Sequence, residues 1–530
     1  MERWNPPERL SRKEEFIIKR LKRTRKLFAF LRLHRHELLS EEFQAELEGM
    51  YRQTGAGEEP VAPALLCMAL ILQGYLRTSD AEAVELTVMD MRWQLVLDCL
   101  GAEEPAFAQG TLQQFRERLI SWDMDRRLLG RTIELAKKTK EFDWKKLPKD
   151  LRIGVDSRPL EGAGRVEDTF NLLGHAARKI IAGVEKLTHL SAEEICRQAK
   201  TPLFLHSSIK AGLDINWGDP EQKDEALEVL LSQVASLNEW LEQNQLRLSH
   251  PVRPYLEAVA QVYKQDVEEA SDGRAHLRQG VAPDRRISLE DDQMRHGRKS
   301  KSKRFDGYKE HIATHLDADL ILACAVTPAN QPEEEAAPSL KNDLHEQGFS
   351  IDELFIDRGY INSTLVDDVL ARGGEVVAKP WKVQNANKEL FSKAEFKLNL
   401  RDNTITCPAG EVEHFEPGQV VEFDPEACGR CPLRAQCTHA ASGKGRTVSI
   451  SEDERLRKQL RKLQNTSKGR RRLRERTGVE HRLAHIAARK GPKARYRGLR
   501  KNLFDLRRAA AIQNLETIHR KSTTSVGAAP

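Results

Sequence analysis

The sequence lacks any apolar run of the roughly 18 residues that a membrane-spanning helix needs. The nearest run, residues 61–75, is too short. The amino-terminal stretch MERWNPPERLSRKEEF is charged throughout, unlike a signal peptide. These absences predict a soluble protein of the cytoplasm, and a length of 530 residues predicts two or three domains rather than one.

The chain also has little net charge, +6, although 31% of its residues are charged. The small sum conceals three basic blocks. Residues 295–309 hold seven Lys or Arg, residues 455–476 hold eleven, and residues 489–508 hold nine. Blocks of this kind attract polyanions, so they indicate contact with a nucleic acid. Solvated helix faces are the alternative.

Cysteine is scarce outside one segment. Four of the eight cysteines fall in the order C-x20-C-x2-C-x5-C, at Cys407, Cys428, Cys431 and Cys437. In a reducing compartment, four grouped thiols favour a structural Zn²⁺ over disulfides. The alternative is a loop region with four reduced cysteines.

The hydrophobic patterns predict a helical part followed by an α/β part. Residues 1–145 should form an N-terminal all-α domain that binds DNA or a partner. Residues 146–520 should form a mixed five-stranded sheet with helices. A helical insertion at about 170–290 and a cysteine-rich insertion at about 385–450 interrupt it, and residues 521–530 should be a disordered tail.

Three acidic residues stand out within the α/β part. Asp156 and Asp357 each follow an apolar strand pattern, at the place where functional side chains gather in α/β sheets. Glu480 adjoins an apolar stripe of a basic helix, formed by Val479, Leu483 and Ile486. Oxygen ligands without clustered histidines favour Mg²⁺ or Mn²⁺. A lone glutamate in a basic helix is more commonly a solvated ion-pair partner.

The ordered set of motifs resembles the bacterial insertion-sequence DDE transposases, and within them the insertion-sequence eleven-eighty-two group. The matching stretches include LRIGVDSRPLEGAGRVEDTFNLL, ELFIDRGY, CGRCPLRAQC and RERTGVEHRLAHI. The resemblance covers roughly residues 60–515. It implies an RNase H-like catalytic core at residues 146–520, preceded by the helical transposase domain of these enzymes.

The resemblance also implies a chemistry. Asp156, Asp357 and Glu480 would hold two Mg²⁺ or Mn²⁺ ions that promote DNA end cleavage and strand transfer. The partners would be double-stranded DNA, as the terminal inverted repeats and the target, and a second copy of the chain in a homodimer. The protein would then be associated with the bacterial nucleoid.

Five basic residues are candidates for phosphate contacts: Arg304, Lys309, Arg476, Lys490 and Arg497. Related transposases often carry Y-x2-R-x3-E-x6-K around the glutamate. Arg476 and Glu480 fit this pattern, whereas Leu473 and Ala487 replace its tyrosine and lysine. Lys490 is the candidate to substitute for that lysine.

Two other functional classes share part of this pattern. A metal-dependent nuclease that cuts DNA without joining it would use the same three carboxylates. A non-enzymatic zinc-containing DNA-binding protein would use the cysteines and the basic helices, but it leaves the placement of the acids unexplained.

Overall fold

The structure is a computed structural model that describes residues 3–21, 26–51, 59–139, 151–269, 273–381 and 390–526. The boundary expected between residues 145 and 146 lies outside the described residues. So do the last four residues of the chain and the first five of the expected cysteine-rich insertion. No helix in the described ranges has the length and apolar character required to cross a membrane.

The N-terminal part is helical, as its apolar spacing predicts. Its helices are α1 (Arg12–Arg20), α2 (Leu27–Leu38), α3 (Glu41–Glu48), α4 (Pro63–Leu76), α5 (Asp80–Met89), α6 (Met91–Leu97), α7 (Gln109–Ser121) and α8 (Met124–Lys138). Helix α4 is apolar on nearly all sides and is largely buried, with Pro63 in its first turn. A helix of this kind forms the centre of a core because no face of it favours water.

The first strand, β1 (Arg152–Glu161), leads directly into the helical insertion. The insertion contains α9 (Thr169–Thr188), α10 (Ala192–Ala199), α11 (Ile209–Leu213), α12 (Pro220–Gln243) and α13 (Arg253–Asp266), followed by a small hairpin of β2 (Val267–Glu269) and β3 (Ala275–Leu277). Its apolar side chains form a cluster of their own, which includes Leu173, Leu230 and Trp240. The insertion therefore packs as a unit beside the sheet.

The chain then returns to the sheet. The elements are β4 (Arg295–Arg298), β5 (Arg304–His315), β6 (Leu320–Pro328), α14 (Ala337–Glu346), β7 (Glu353–Phe355), α15 (Thr364–Ala371) and β8 (Glu375–Val377), with 3-10 turns at Glu333–Ala336 and Arg358–Tyr360.

The sheet has six strands rather than the five expected. Strand β5 lies antiparallel to β1 on one side, and to β4 and then β6 on the other. Strands β1, β7 and β8 are parallel neighbours. The extra strand is β4, which pairs with the first residues of β5 where the longer β6 ends. The carboxyl ends of β1, β6, β7 and β8 thus point to one edge.

The cysteine-rich insertion is built of short elements. They are β9 (Lys397–Asn399), β10 (Thr404–Thr406), β11 (Val412–His414), β12 (Val420–Glu422), α16 (Pro425–Arg430), α17 (Arg434–Cys437) and β13 (Thr447–Ser449), with a 3-10 turn at Lys393–Glu395. The helical insertion described above also contains a 3-10 turn, at Pro202–Leu205. A small cluster of buried residues, including Phe396, Ile405 and Phe423, is its core.

The chain ends in four helices. They are α18 (Glu454–Asn465), α19 (Ser467–Glu475), α20 (Thr477–Lys490) and α21 (Leu499–Val526). Helix α21 packs on β6, α8 and α4, so one hydrophobic core joins the N-terminal helices to the sheet. Residues 521–526, which we expected in a disordered tail, continue α21 instead. The domain boundaries stay predictions.

Candidate active site

Asp156 lies in the middle of a strand rather than at its end. It is the fifth of the ten residues of β1, and it faces Ile312 of β5 in the antiparallel register. On the other side of β1, Gly154 pairs with Phe355 of β7. The same register, extended by two residues, sets Asp357 opposite Asp156. Sheet pairing therefore brings together two carboxylates that are 201 positions apart in the chain.

Each residue of the motif Asp357-Arg358-Gly359-Tyr360 makes a contact that shapes or supports the turn after β7. The Asp357 carboxylate accepts a hydrogen bond from the Gly359 N–H at 2.9 Å, and Arg358 donates to the carbonyl of Pro380 at 2.6 Å. Tyr360 is fully buried and its hydroxyl lies 2.6 Å from Nδ1 of His311. Burial lowers the pKa of His311 to about 3, so this histidine is a neutral support beneath the turn.

Glu480 is supplied by helix α20. As predicted, Val479, Leu483 and Ile486 form its buried stripe. A Cβ added at Gly154 would meet Val479 at 3.1 Å, so the absence of a side chain there lets α20 approach β1 closely. The basic segment before Glu480 forms two helices: α19 ends at Glu475, and α20 begins after Arg476.

These three carboxylates line one cleft of about 480 Å³, which we call the acidic cleft. Its full lining is Asp156, Ser157, Arg158, Pro159, Arg298, Lys299, Phe305, Lys309, Glu333, Asp357, Glu480, Leu483, Ala484 and Ala487. The structure thus brings the predicted acids together from β1, the turn after β7, and α20.

Sequence reasoning missed a fourth acid of the cleft, Glu333. Its Oε1 accepts a hydrogen bond from the Ser157 hydroxyl at 2.5 Å. Its Oε2 lies against Gly359, where an added Cβ would overlap it. Glu333 therefore touches the neighbours of both aspartates. It follows the end of β6, a strand parallel to β1, and that position is the signal that could have identified it.

Arg476 bridges two of the acids. It lies 3.0 Å from Asp156 Oδ2 and 2.5 Å from Glu480 Oε1. Burial raises the pKa of Asp156; Arg476 opposes the rise, and the charges of Asp357 and Glu480 add to it. Burial and the charge of Asp357 likewise raise the pKa of Glu333. Burial is therefore the first cause of both shifts, and neighbouring carboxylates add to each of them.

The fit of a divalent ion depends on these carboxylates. The donor set is oxygen-only, which suits Mg²⁺ or Mn²⁺. Within the described ranges, however, no three His, Cys, Asp or Glu side chains are arranged to hold a metal ion. Instead, Arg476 pairs with Asp156 and Glu480, and Asp357 caps its own turn. A shared ion requires Arg476 to turn away.

The five candidate phosphate contacts lie in different settings. Lys309 lines the acidic cleft and donates to the carbonyl of Gln331 at 2.6 Å. Arg304 is exposed at the start of β5. Arg497 is paired with Glu290 outside the cleft lining. The side chain of Lys490 is only 5% exposed.

The position of Lys490 argues against a phosphate contact. Its Nζ lies 2.6 Å from Glu310 and 2.9 Å from Asp505. An ammonium group held between two buried carboxylates is not available to a ligand. Its substitution for the lysine of the transposase pattern stays a prediction.

The four grouped cysteines line a pocket of about 380 Å³. Burial raises the pKa of Cys437, and the other three thiols add to the rise. Among the described residues, no three of these thiols are arranged to hold a metal ion. The structure thus gathers the thiols around a space without assembling a zinc site, and zinc stays a prediction from the sequence.

Comparisons with known proteins identify two regions. Residues 406–519 match a family model described as Transposase DDE domain, and residues 18–118 match one described as Transposase domain (DUF772). The first span contains Glu480, whereas Asp156 and Asp357 precede it. No curated protein and no solved structure matches the chain.

Proposed function

The chain belongs to the DDE transposases of insertion sequences, and on that premise we propose that the acidic cleft is its catalytic site. It cleaves DNA at the ends of its element and joins the freed ends to a target. Asp156, Asp357 and Glu480 hold two Mg²⁺ or Mn²⁺ ions. The order and directions of the strands support an RNase H-like core.

The observation that carries the proposal is the register between β1 and β7. It sets Asp357 opposite Asp156, and Glu480 of α20 lines the same cleft. Three carboxylates from distant parts of the chain repel one another, and holding them together costs free energy unless a cation lies between them.

Divalent ions would supply charge neutralisation at the attacking and departing oxygens of a phosphodiester. The chain's own residues orient the site. Glu333 ties the Ser157 end of the site to the turn after Asp357, so both aspartates keep their spacing. Arg476, once released from Asp156, can bind a phosphate oxygen beside Glu480.

Lys309 faces the same cleft, and it is held by the backbone carbonyl of Gln331. Burial lowers its pKa, although the charges of Glu333 and Asp357 oppose the fall. A cation in this position compensates the charge of a bound phosphate without reading its base.

The experiment is a cleavage and strand-transfer assay with duplexes that carry the element's own ends. Asp357→Asn should reduce cleavage by about 1,000-fold or more while DNA binding is retained. Asp367→Asn on the exposed face of α15 is the matched control and should cut normally. Normal cleavage by Asp357→Asn refutes the assignment.

The same assay separates the alternatives. Cleavage without joined products indicates a nuclease. Binding without any divalent-dependent cleavage indicates a DNA-binding protein. Transposition also brings two DNA ends together, so we propose a homodimer on double-stranded DNA in the bacterial nucleoid, measurable by light scattering of the DNA complex.

The membership of the insertion-sequence eleven-eighty-two group and the zinc site are part of the proposal. Inverted repeats flanking the gene test the group. Metal analysis of the purified protein tests the zinc site, for which about one Zn²⁺ per chain is expected. A metal-free protein with four reduced thiols rejects it.

A further inference from the structure

A second cavity lies at the junction between the N-terminal helices and the C-terminal helices. Its volume is about 360 Å³, and we call it the basic pocket. Six of its lining residues are cationic: Arg77, Arg489, Lys490, Lys493, Arg495 and Arg508. Asp505 is the acid that lines it. A cavity with this lining attracts an anion.

Half of these cations are already neutralised. Lys490 and Arg508 pair with Asp505 at 2.9 and 2.6 Å, and Arg489 pairs with Glu516. These ion pairs fix the wall of the pocket. They leave the positive charge of the pocket to its other three cations.

Those three, Arg77, Lys493 and Arg495, make no ion pair with any described carboxylate, and all are exposed. Arg77 donates to the carbonyl of Lys490 at 2.9 Å, and Arg495 donates to that of Thr78 at 2.6 Å. A backbone carbonyl orients a guanidinium without removing its charge. Arg77 and Arg495 are thus each held by a carbonyl at this cavity, and Lys493 lines it with them.

The basic pocket is connected to the acidic cleft through α20. Glu480 lies at the start of this helix and Lys490 at its end, about 15 Å apart at 1.5 Å per residue. The segment after α20 is pinned to the end of β1, where the Glu161 N–H donates to Pro492 at 2.8 Å. The two cavities are therefore held at a fixed separation.

We propose that the basic pocket binds a backbone phosphate of the DNA, about four to five nucleotides from the bond that is cut. The number follows from about 15 Å of helix and 3.4 Å per nucleotide along a strand. This inference rests on the proposed function, because it places the cut bond in the acidic cleft. Since Arg77 comes from the N-terminal helices, the bound phosphate also joins them to the catalytic part.

The test measures DNA affinity as a function of salt, in the Asp357→Asn background, so that cutting plays no part. Lys493→Gln is the cleanest variant because its side chain is exposed and makes no contact that the fold needs. The triple variant Arg77→Gln, Lys493→Gln, Arg495→Gln should weaken binding roughly tenfold. It should also lower the salt slope by about 1, equally for element ends and unrelated duplexes.

Two controls keep the result specific. Lys264→Gln removes one exposed charge from α13, which does not line the pocket, and should leave the salt slope unchanged. Lys493→Arg keeps the charge and should retain affinity. Thermal melting verifies that each variant is folded.

Unchanged affinity and slope in both Lys493→Gln and the triple variant overturn the proposal. So does a pocket that binds inorganic phosphate in the wild type, loses it in the triple variant, and leaves DNA affinity untouched. Because binding is measured without cleavage, failure here is separate from failure of the catalytic assignment, which the Asp357→Asn cleavage assay tests.

Discussion

Asp156 in the acidic cleft and Asp505 in α21 are both buried carboxylates, but their pKa values shift in opposite directions. Burial raises the pKa of each. At Asp505, Lys490 and Arg508 outweigh burial and hold the pKa well below its usual value. At Asp156, Arg476 and the N–H of Ser157 oppose burial without outweighing it, and two neighbouring carboxylates add to the rise.

The surroundings of Asp505 form what we call the buried charge network. Positive and negative groups alternate from Arg158 through Glu310, Lys490 and Asp505 to Arg508, with contacts of 2.6 to 2.9 Å. The network fixes the end of α20 to the sheet and to α21. Every carboxylate in it has a cation on each side.

The acidic cleft has no such alternation. In the described part of the chain, Arg476 is the one cation within ion-pair distance of Asp156, Asp357, Glu480 or Glu333. The comparison separates two uses of buried charge. Paired charges hold elements together, whereas carboxylates short of positive charge attract a cation from outside.

The largest expected effect comes from interrupting the network. Lys490→Met removes the cation between Glu310 and Asp505, leaving two buried carboxylates short of a partner. We expect the free energy of unfolding to fall by about 3–5 kcal/mol, measured by urea denaturation. Lys493→Met, three residues later and exposed, should change it by about 0.5 kcal/mol or less. Equal effects would show that the network does not stabilise the fold.

A smaller effect is expected where Glu333 joins the two aspartates. Gly359→Ala places a Cβ where Glu333 Oε2 lies, and we expect a loss of about 1–3 kcal/mol. Adding Glu333→Ala should remove much of that loss, because the overlapping group is gone. A thermal-melt double-mutant cycle measures the coupling, and additive effects would contradict this contact.

Asp156→Asn should act in the opposite direction from Asp505→Asn. In metal-free protein, Asp156→Asn relieves repulsion among the cleft carboxylates and should stabilise the fold by about 1 kcal/mol. Asp505→Asn removes the charge that Lys490 and Arg508 share and should destabilise it. Calorimetry compares the two melting temperatures, and a shift of the same sign in both would break the distinction.

The smallest effect is the pH dependence. A lowered pKa means that Asp505 stabilises the fold at pH values above the ordinary aspartate pKa of about 3.9, and that this stability is lost as the pH falls below it. The raised pKa of Asp156 has the opposite effect on stability. Ionised Asp156 lowers the free energy of unfolding, and this loss appears as the pH rises above about 4. Asp505→Asn should flatten the acid side of the stability curve, measured between about pH 2 and 6 by denaturation; an unchanged curve would reject the account.

The sequence predicted the parts of the site that depend on local patterns. The apolar strands before Asp357 and around Asp156, and the stripe of Val479, Leu483 and Ile486, are periodic and readable. The mixed sheet with N-terminal helices also followed from such patterns. The proximity of the two aspartates was an expectation from strand ends, although β1 continues past Asp156.

What the sequence did not reveal depends on distant partners. Lys490 is buried because Glu310 and Asp505 reach it from elsewhere in the chain, and no local pattern records this. Glu333 is the first of three successive acids after β6, so its position points to the group but does not distinguish it from Glu334 and Glu335. The break at Arg476 precedes Thr477 and Gly478, which are poor helix formers, but the contact of Arg476 with Asp156 has no local signal.

The central claim is that Asp156, Asp357 and Glu480 bind divalent ions together. Mn²⁺ titration of the DNA complex, followed by electron paramagnetic resonance, tests it most directly. We predict two Mn²⁺ per catalytic site in the wild type, and at least about tenfold weaker binding in Asp357→Asn. Equal Mn²⁺ binding by the wild type and Asp357→Asn would contradict the claim.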